Sequence, residues 1–466
     1  MGTTARELGG LRSRLSEGEF EAVGRHGLAG YLVAGPALER KLSTGRHAPG
    51  EDACPAGVAL VYAATDWARC GRTDPLSEVM LRGLWPSHLP PGVRATDDAL
   101  AVGLEWALRP VAGTIALLER TDSCYGAYDY VVRLVRDRPG AEPPRDLSWT
   151  AALGTATDVQ AFAVAVAAYE CSRFEDARTG FARVRESSVD ELAAKAEVNL
   201  GVVLGVLGRS VEAIGVYEQV VARFADAPEP ALRERVAQAL VGKGIRLGVL
   251  GRSGEAIGVF EEVVARFAEA PEPALRERVA MALVNKGVVF GELGRSAEEI
   301  GAYEEVVARF AEAPEPALRE RVAMALVSKG FVLGELGRSA EEIGAYEQVV
   351  ARFAEAPEPA LRERVAQALV GKGIRLRVLG RSAEAIGAYE QVVARFAEAP
   401  EPALRERVAK ALVNKGVVLG ELGRSAEAVG VFEEVVARFA EAPEPALREA
   451  VARALSARQE IDDGTD

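Results

Sequence analysis

A unit of 43 residues recurs through more than half of this chain, and no other feature restricts its fold as much. It reads most cleanly at Ala403–Pro445, ALRERVAKALVNKGVVLGELGRSAEAVGVFEEVVARFAEAPEP, and starts again at Ser188, Ala231, Ala274, Ala317 and Ala360. Six copies therefore fill residues 188–445. A fixed period of about 20–50 residues signals a solenoid, because each copy cannot bury its apolar face alone and must stack on a neighbour.

The unit decodes as two helices. Pro402 suits a first helical position, where a missing N–H costs nothing. Leu404, Val408, Leu412, Leu419 and Leu422 then share one helical face. Gly423 fits the C′ position that ends a helix in the left-handed conformation, and Ser425 follows as expected N-cap of the second helix. In two copies Glu299 and Glu342 stand three residues after Ser296 and Ser339, the spacing of a capping box. The second helix is expected to bury Val429, Phe432, Val435, Val436 and Phe439, and to stop ahead of Pro443-Glu444-Pro445. At 1.5 Å per residue the first helix should run about 30 Å.

The order Leu412, Gly416, Leu419, Leu422-Gly423, Ala428 and Phe432 resembles the tetratricopeptide repeat. The resemblance implies an all-α superhelix whose small residues let paired helices approach, and a concave groove where peptides lie. The period is longer than the family's, about 34 residues, which fits longer helices and the Pro-Glu-Pro corner. Lys243, Lys286, Lys329, Lys372 and Lys415 stand where the family usually has leucine. Either their stems pack on a neighbour with the amine in solvent, or they form a ladder of ion pairs with second-helix glutamates such as Glu433.

The net charge of −13 disfavours nucleic-acid or anionic-membrane partners. Cys54, Cys70, Cys124 and Cys171 form no CxxC pair, so neither zinc nor a disulfide framework is indicated, and no cofactor motif occurs. The N-terminal residues lack an apolar leader region, and no long apolar run occurs elsewhere. A cytoplasmic protein is expected, and the scarcity of lysine beside arginine and alanine suggests a GC-rich bacterial genome.

Seven segments are expected: an N-terminal helical stretch (1–54), a compact module (55–140), a linker (141–157), a divergent hairpin (158–187), the six repeats (188–445), a capping helix (446–461) and an acidic tail (462–466). In the first, Leu8, Leu11, Leu15, Phe20 and Val23 mark helix. In the second, helices begin near Gly57, at Asp74-Pro75 and at Asp97. A hairpin turns at Thr121-Asp122-Ser123, and a last helix runs from Tyr128 to Arg138. Leu117-Leu118, Tyr125 and Tyr128-Asp129-Tyr130-Val131-Val132 are similar to the closing strand and helix of the winged-helix module in STAND-type (NB-ARC-like) NTPases. That resemblance implies a sensor half without its motor, since no G-x-x-x-x-G-K-[ST] occurs and Val241-Gly242-Lys243-Gly244 lacks the spacing. A winged helix can also bind DNA, but Leu76–Leu84 carries only Arg82 as a base. The hairpin places Ala165, Ala177 and Phe181 at the repeat's small and aromatic positions, and the capping helix turns Arg453 and Arg458 outward. His26, His47 and His88 lie in no recognisable catalytic motif, so no enzyme is expected.

Differences among the copies crowd onto one stripe of the first helix. It comprises Gln238, Ile245, Arg246 and Val249; Met281, Asn285, Val288 and Glu292; Met324, Ser328, Phe331 and Glu335; Gln367, Ile374, Arg375 and Val378; and Lys410, Asn414, Val417 and Glu421. Gly242, Val289, Val332, Gly371 and Val418 vary beside them. Offsets of three and four place most of these on one face, while the exposed RER and PEP segments hardly drift. Such a face suits an extended or helical peptide, and its side chains are expected not to hold the fold. The sequence thus points to a tetratricopeptide-type superhelix behind a helical, winged-helix-like module. It acts as a non-catalytic scaffold for a protein or peptide partner, with oligomerisation left open. A STAND-like sensor arm is the alternative, and a transcription regulator the third reading.

Overall fold

The structure is a computed structural model and describes residues 35–46, 53–111 and 115–463. The expected helix positions Leu8 to Val23, and His26 and His47, lie outside the described residues. The chain divides into two compact units, Met1–Val216 and Tyr217–Asp466. Among the described residues no helix is long and apolar enough to cross a membrane.

The first unit opens with a helix at 35–46 that buries Leu38 and Leu42. Helix Pro55–Arg69 follows, with proline in its first turn and Gly71 at φ +85° beyond its end. Strand β1 is Leu76–Ser77, and Ser77 caps helix Glu78–Leu84 by accepting from the Met80 N–H at 3.3 Å. The expected start at Asp74-Pro75 is therefore too early. Val79 on this helix is 79% exposed. Helix Asp97–Leu108 follows, then β2 (Leu118–Thr121), β3 (Cys124–Ala127) and helix Asp129–Arg136. β2 and β3 form the expected hairpin, with Asp122 at φ +54° in its turn. β1 adds antiparallel to β3, pairing Leu76 with Tyr125, so the sheet order is β1-β3-β2. Leu60, Leu81, Trp85, Leu117, Tyr125 and Val131 fill the core.

The stretch 141–157, expected as a linker, holds helix Asp146–Gly154. Trp149 explains it: the indole is buried, and such an area of apolar surface is not left in a bare loop. The hairpin helices Asp158–Glu170 and Phe174–Val184 bury Ala165, Ala177 and Phe181.

In the second unit, first helices of 20 residues (Pro230–Val249 through Pro402–Glu421) alternate with second helices of 15 residues (Ser253–Phe267 through Ser425–Phe439). Each first helix packs on its own second helix and on the first helix of the next repeat. Proline begins every first helix, as expected. At its end the Gly423 N–H donates to the Gly420 carbonyl at 2.9 Å and the Arg424 N–H to that of Leu419 at 2.9 Å, with Gly423 at φ +73°. These two bonds form a Schellman stop. Leu422 is 47% exposed rather than on the core face, because the helix ends there and turns it outward.

The serine caps do not form. The N-cap is Arg424, serine is the first helical residue, and no side chain caps the turn. Arg424 instead pairs with Glu427 at 2.7 Å, and the same pair recurs as Arg252–Glu255 and Arg381–Glu384. The carboxylate sits in the first turn, where the helix dipole favours it. Glu299 and Glu342 form no capping box; both face inward.

The lysines make the ladder. Lys243, Lys286, Lys329, Lys372 and Lys415 meet Glu218, Glu261, Glu304, Glu347 and Glu390 of the preceding second helix at 2.7–2.8 Å. Glu433 meets Arg458 at 3.3 Å, so Arg458 turns back onto the array instead of outward. A second ladder joins the RER arginines to the PEP glutamates that close the same copy, just ahead of the next first helix: Arg233–Glu272, Arg276–Glu315, Arg319–Glu358, Arg362–Glu401 and Arg405–Glu444. The invariance of these segments is therefore structural. The last helix runs Pro445–Asp463, so the first two residues of the expected acidic tail are helical.

Inside each repeat a first-helix glycine lies under a second-helix ring. A Cβ at Gly287 would stand 2.7 Å from Tyr303 Cε1, and one at Gly416 2.5 Å from Phe432 Cε1. Gly287→Leu should therefore destabilise the array by roughly 1–3 kcal/mol through overpacking. Gln459→Leu, at the equivalent register of the exposed last helix, should be nearly silent. Thermal melts of the two variants check the register, and equal losses would refute it.

Candidate functional site

The stripe divides in two. Val249, Val288, Phe331, Ile374 and Val378 are exposed apolar side chains, with Phe331 at 62% and Ile374 at 40%. Glu292, Glu335, Lys410 and Glu421 are exposed charges, and Glu421 is engaged by Arg377. Gln238, Ile245, Arg246, Met281, Met324, Gln367 and Val417 are half-buried. Gln238 and Gln367 accept from Arg235 and Arg364 at 2.8 and 2.9 Å. Asn414 is buried, at 8% exposure, and the Asn285 amide donates to its own helix at Met281 O, 2.8 Å away. Val289, Val332 and Val418 are buried, so they vary within the packing and not on a surface.

Part of the variation lies within the packing between copies. The position of Gly242, Asn285, Ser328, Gly371 and Asn414 lies beside the ring of the preceding repeat. A Cβ at Gly242 would meet Tyr217 Cζ at 2.6 Å, and one at Gly371 would meet Tyr346 Cζ at 2.9 Å. At the same register Ser328 follows Tyr303, and asparagine follows both Phe260 and Tyr389, so ring size alone does not set this residue.

The structure gathers Ser328, Phe331, Glu335, Gln367, Ile374, Arg375 and Lys410 around one groove of about 580 Å³. Four of its lining residues come from second helices and were not among the candidates: Glu299, Tyr303, Glu342 and Tyr346. The signal was in the sequence. Glu299 and Glu342 stand where the other copies have Ala213, Ala256, Ala385 and Ala428. Reading them as helix caps hid the substitution.

The two glutamates differ in their surroundings. Glu342 is buried and pairs with Arg375, which also donates to the Gly334 carbonyl at 3.0 Å. Burial raises its carboxyl above the ordinary value, while Arg375 opposes the rise. Arg375 therefore holds the fold, contrary to the expectation for stripe side chains. Glu299 accepts from the Tyr303 hydroxyl at 3.2 Å and has no cation within 4 Å among the described residues. Burial raises its carboxyl too; the Tyr303 hydrogen bond opposes that, and Glu335 adds repulsion.

The first unit holds a separate cavity of about 510 Å³, lined by Tyr62, Asp66, His88 and Arg145 among others. The fold brings His88 Nε2 to 3.4 Å from Asp66 Oδ2, a proximity that the sequence gave no motif for. Asp66 also accepts from the Arg145 N–H at 2.9 Å. Burial pushes Asp66 up to about 6, and burial with Arg145 pushes His88 down to about 4. At neutral pH the imidazole is uncharged. The described lining offers no serine, threonine, cysteine or lysine that it could activate.

Two outcomes are expected. Arg375→Met leaves a buried carboxylate without its cation and should cost about 2–3 kcal/mol in chemical denaturation, whereas Val378→Ala on the exposed stripe should change stability by less than about 0.5 kcal/mol. Glu299→Gln should behave oppositely. A carboxyl whose folded value is raised favours the fold at acidic pH and loses that contribution as pH rises through the folded value. The substitution should therefore raise the melting temperature at pH 7, and the gain should close below the ordinary glutamate value, about 4.3. A gain that persists at pH 3 would refute this account.

The tetratricopeptide repeat family model matches residues 162–228, 241–314 and 370–443. No curated protein matches the chain. Among solved structures, the chain is similar to a putative kinesin light chain from Podosopora anserina with nearly identical TPR-like repeats. The identity is 21%, covering 45% of this chain and 96% of that one, with a TM-score of 0.33. It is also similar to a STAND protein with a tetratricopeptide repeat sensor from Pyrococcus horikoshii, at 11% identity over 98% of this chain and 69% of that one, TM-score 0.43. A third is the TPR2AB domain of yeast Sti1 in complex with an HSP90 peptide, at 15% identity over 56% and 98%, TM-score 0.22. With the paired helices, glycine seams and stacked copies described above, the array is a TPR-like solenoid, matching the tetratricopeptide repeat model over the three stretches given.

Proposed function

We propose that this protein is a non-catalytic cytoplasmic scaffold that binds a peptide or protein segment along the first-helix face of its repeat array. The observation that carries this reading is the groove beside Phe331 and Ile374. Large apolar side chains stay exposed there although the surrounding copies offer packing partners. Isolated apolar residues on a surface are ordinary, but a groove that combines them with charges on both sides is suited to a peptide. The divergence of the copies supports the reading only at the exposed positions, since buried ones vary for packing reasons. The seven-segment division is part of this reading, with helix Asp146–Gly154 inside 141–157 and the last helix running on to Asp463.

A STAND-like sensor arm is the second reading. It is favoured by the order of elements over 55–136: helix, strand, helix, helix, two-stranded hairpin, helix, with the first strand completing a three-stranded sheet. The DNA-binding version of such a module has less support, because Arg82 is engaged by Glu78 and Asp97. A scaffold should bind its partner without residues 1–150, and a sensor arm should not signal without them.

The test is selection of binding peptides from a displayed random library against the full chain. Phe331→Ala with Ile374→Ala should weaken the selected peptides about tenfold or more while leaving the melting curve nearly unchanged, as apolar anchors are favoured hot spots. Glu262→Lys with Glu305→Lys, on second helices, should bind normally. Loss of binding in the control pair alone would move the site to the other surface.

A further inference from the structure

The fourth repeat shows what its inward glutamate accepts. Glu342 and the Gly334 carbonyl together seat the guanidinium of Arg375, which comes from the next first helix. One repeat earlier the same acceptors recur as Glu299 and Gly291, at the same 43-residue offset. The carboxylates lie alike over the end of the first helix: a Cβ at Gly291 would meet Glu299 Oε2 at 2.8 Å, and one at Gly334 would meet Glu342 Oε2 at 2.7 Å. At the register of Arg375, however, the next first helix has Val332. Among the described residues no guanidinium pairs with Glu299, and Glu335 places a second negative charge nearby. Glu299, Phe331 and Glu335 all line the groove.

We propose that the Glu299 seat receives an arginine side chain of the bound segment, which takes the place that Arg375 fills internally one repeat later. This rests on the groove reading above and deepens it. An arginine fits better than a lysine because the acceptors are a carboxylate and a carbonyl at different angles. A planar guanidinium reaches both, as Arg375 does, and an ammonium is a point charge. Phe331 beside the seat offers a ring face to the same cation and apolar cover to the neighbouring residue of the segment.

Two pools of blocked octapeptides, identical except for arginine or citrulline at one fixed position, test the assignment against the full chain by fluorescence anisotropy. Citrulline keeps the shape and removes the charge. The arginine pool should bind about tenfold more tightly. Glu299→Gln should abolish that preference, and Glu304→Gln, on the outer ladder, should keep it. Val332→Arg provides a second variant independent of losing the carboxylate. It should seat its own guanidinium against Glu299, as Arg375 does against Glu342, and weaken the arginine pool about tenfold while circular dichroism stays helical. Equal binding of the two pools, both weakened by Phe331→Ala, overturns the arginine seat and leaves the groove standing. Binding absent in the wild type, or indifferent to both Phe331→Ala and Glu299→Gln, overturns the two together.

Discussion

The repeats of the second unit depend on one close approach, a second-helix ring lying directly on a first-helix glycine. At Gly244, Gly287, Gly330, Gly373 and Gly416 even a single Cβ would stand within 2.7 Å of the ring of its own repeat. Glycine in a helix interior costs about 1 kcal/mol relative to alanine, yet every copy keeps it. The seam fixes the rotation of the two helices about each other. It thereby decides which first-helix residues face the core and which face the groove. It also leaves the far edge of the ring against the next repeat, where a Cβ at Gly242 or Gly371 would meet Tyr217 or Tyr346.

Contacts between copies are of a different kind. Apolar burial supplies most of the energy, but it is non-directional and would tolerate a slip along the stack. Two ion-pair ladders add direction. The lysine ladder joins each second helix to the next first helix, and the RER–PEP ladder ties each first helix to the corner before the next but one helix. Partly exposed pairs of this sort are worth little singly, about 0–1 kcal/mol. Repeated at a fixed offset, they penalise every wrong register at once, because a shifted copy would lose its pairs in both ladders.

Most of this was legible before the fold was known. Period, helix lengths, the proline starts, the glycine stops and the glycine–ring seam all follow from local chemistry repeated six times. What escaped depended on tertiary context. Ser425 has the composition of a cap, but the chain turns one residue earlier and Arg424 takes the position. Trp149 sits in a stretch whose prolines and glycines read as linker, and only burial reveals the helix around it. Glu299 and Glu342 satisfy the capping-box spacing, so a local rule accounted for them and their inward direction went unseen. His88 and Asp66 are brought together by the fold of the first unit, with no spacing to announce it.

Near-identical copies also serve as controls on one another. A residue that varies inside the packing, as Gly371 does beneath Tyr346, needs no ligand to explain it. A residue that varies while its surroundings stay constant does. By that criterion the glutamates of the third and fourth copies are the informative departures. Each places a carboxylate where alanine would pack without cost, and burial of an unneutralised carboxylate is unfavourable. In one copy the chain compensates with Arg375, at a register where the other copies have valine or, at Arg246, a second arginine. In the adjacent copy the register holds Val332, and the chain does not compensate. A half-buried carboxylate retained without its cation, beside an exposed phenylalanine and in a groove, is a local departure from the rule that buried charge is paired. Such departures concentrate where a protein meets something outside itself.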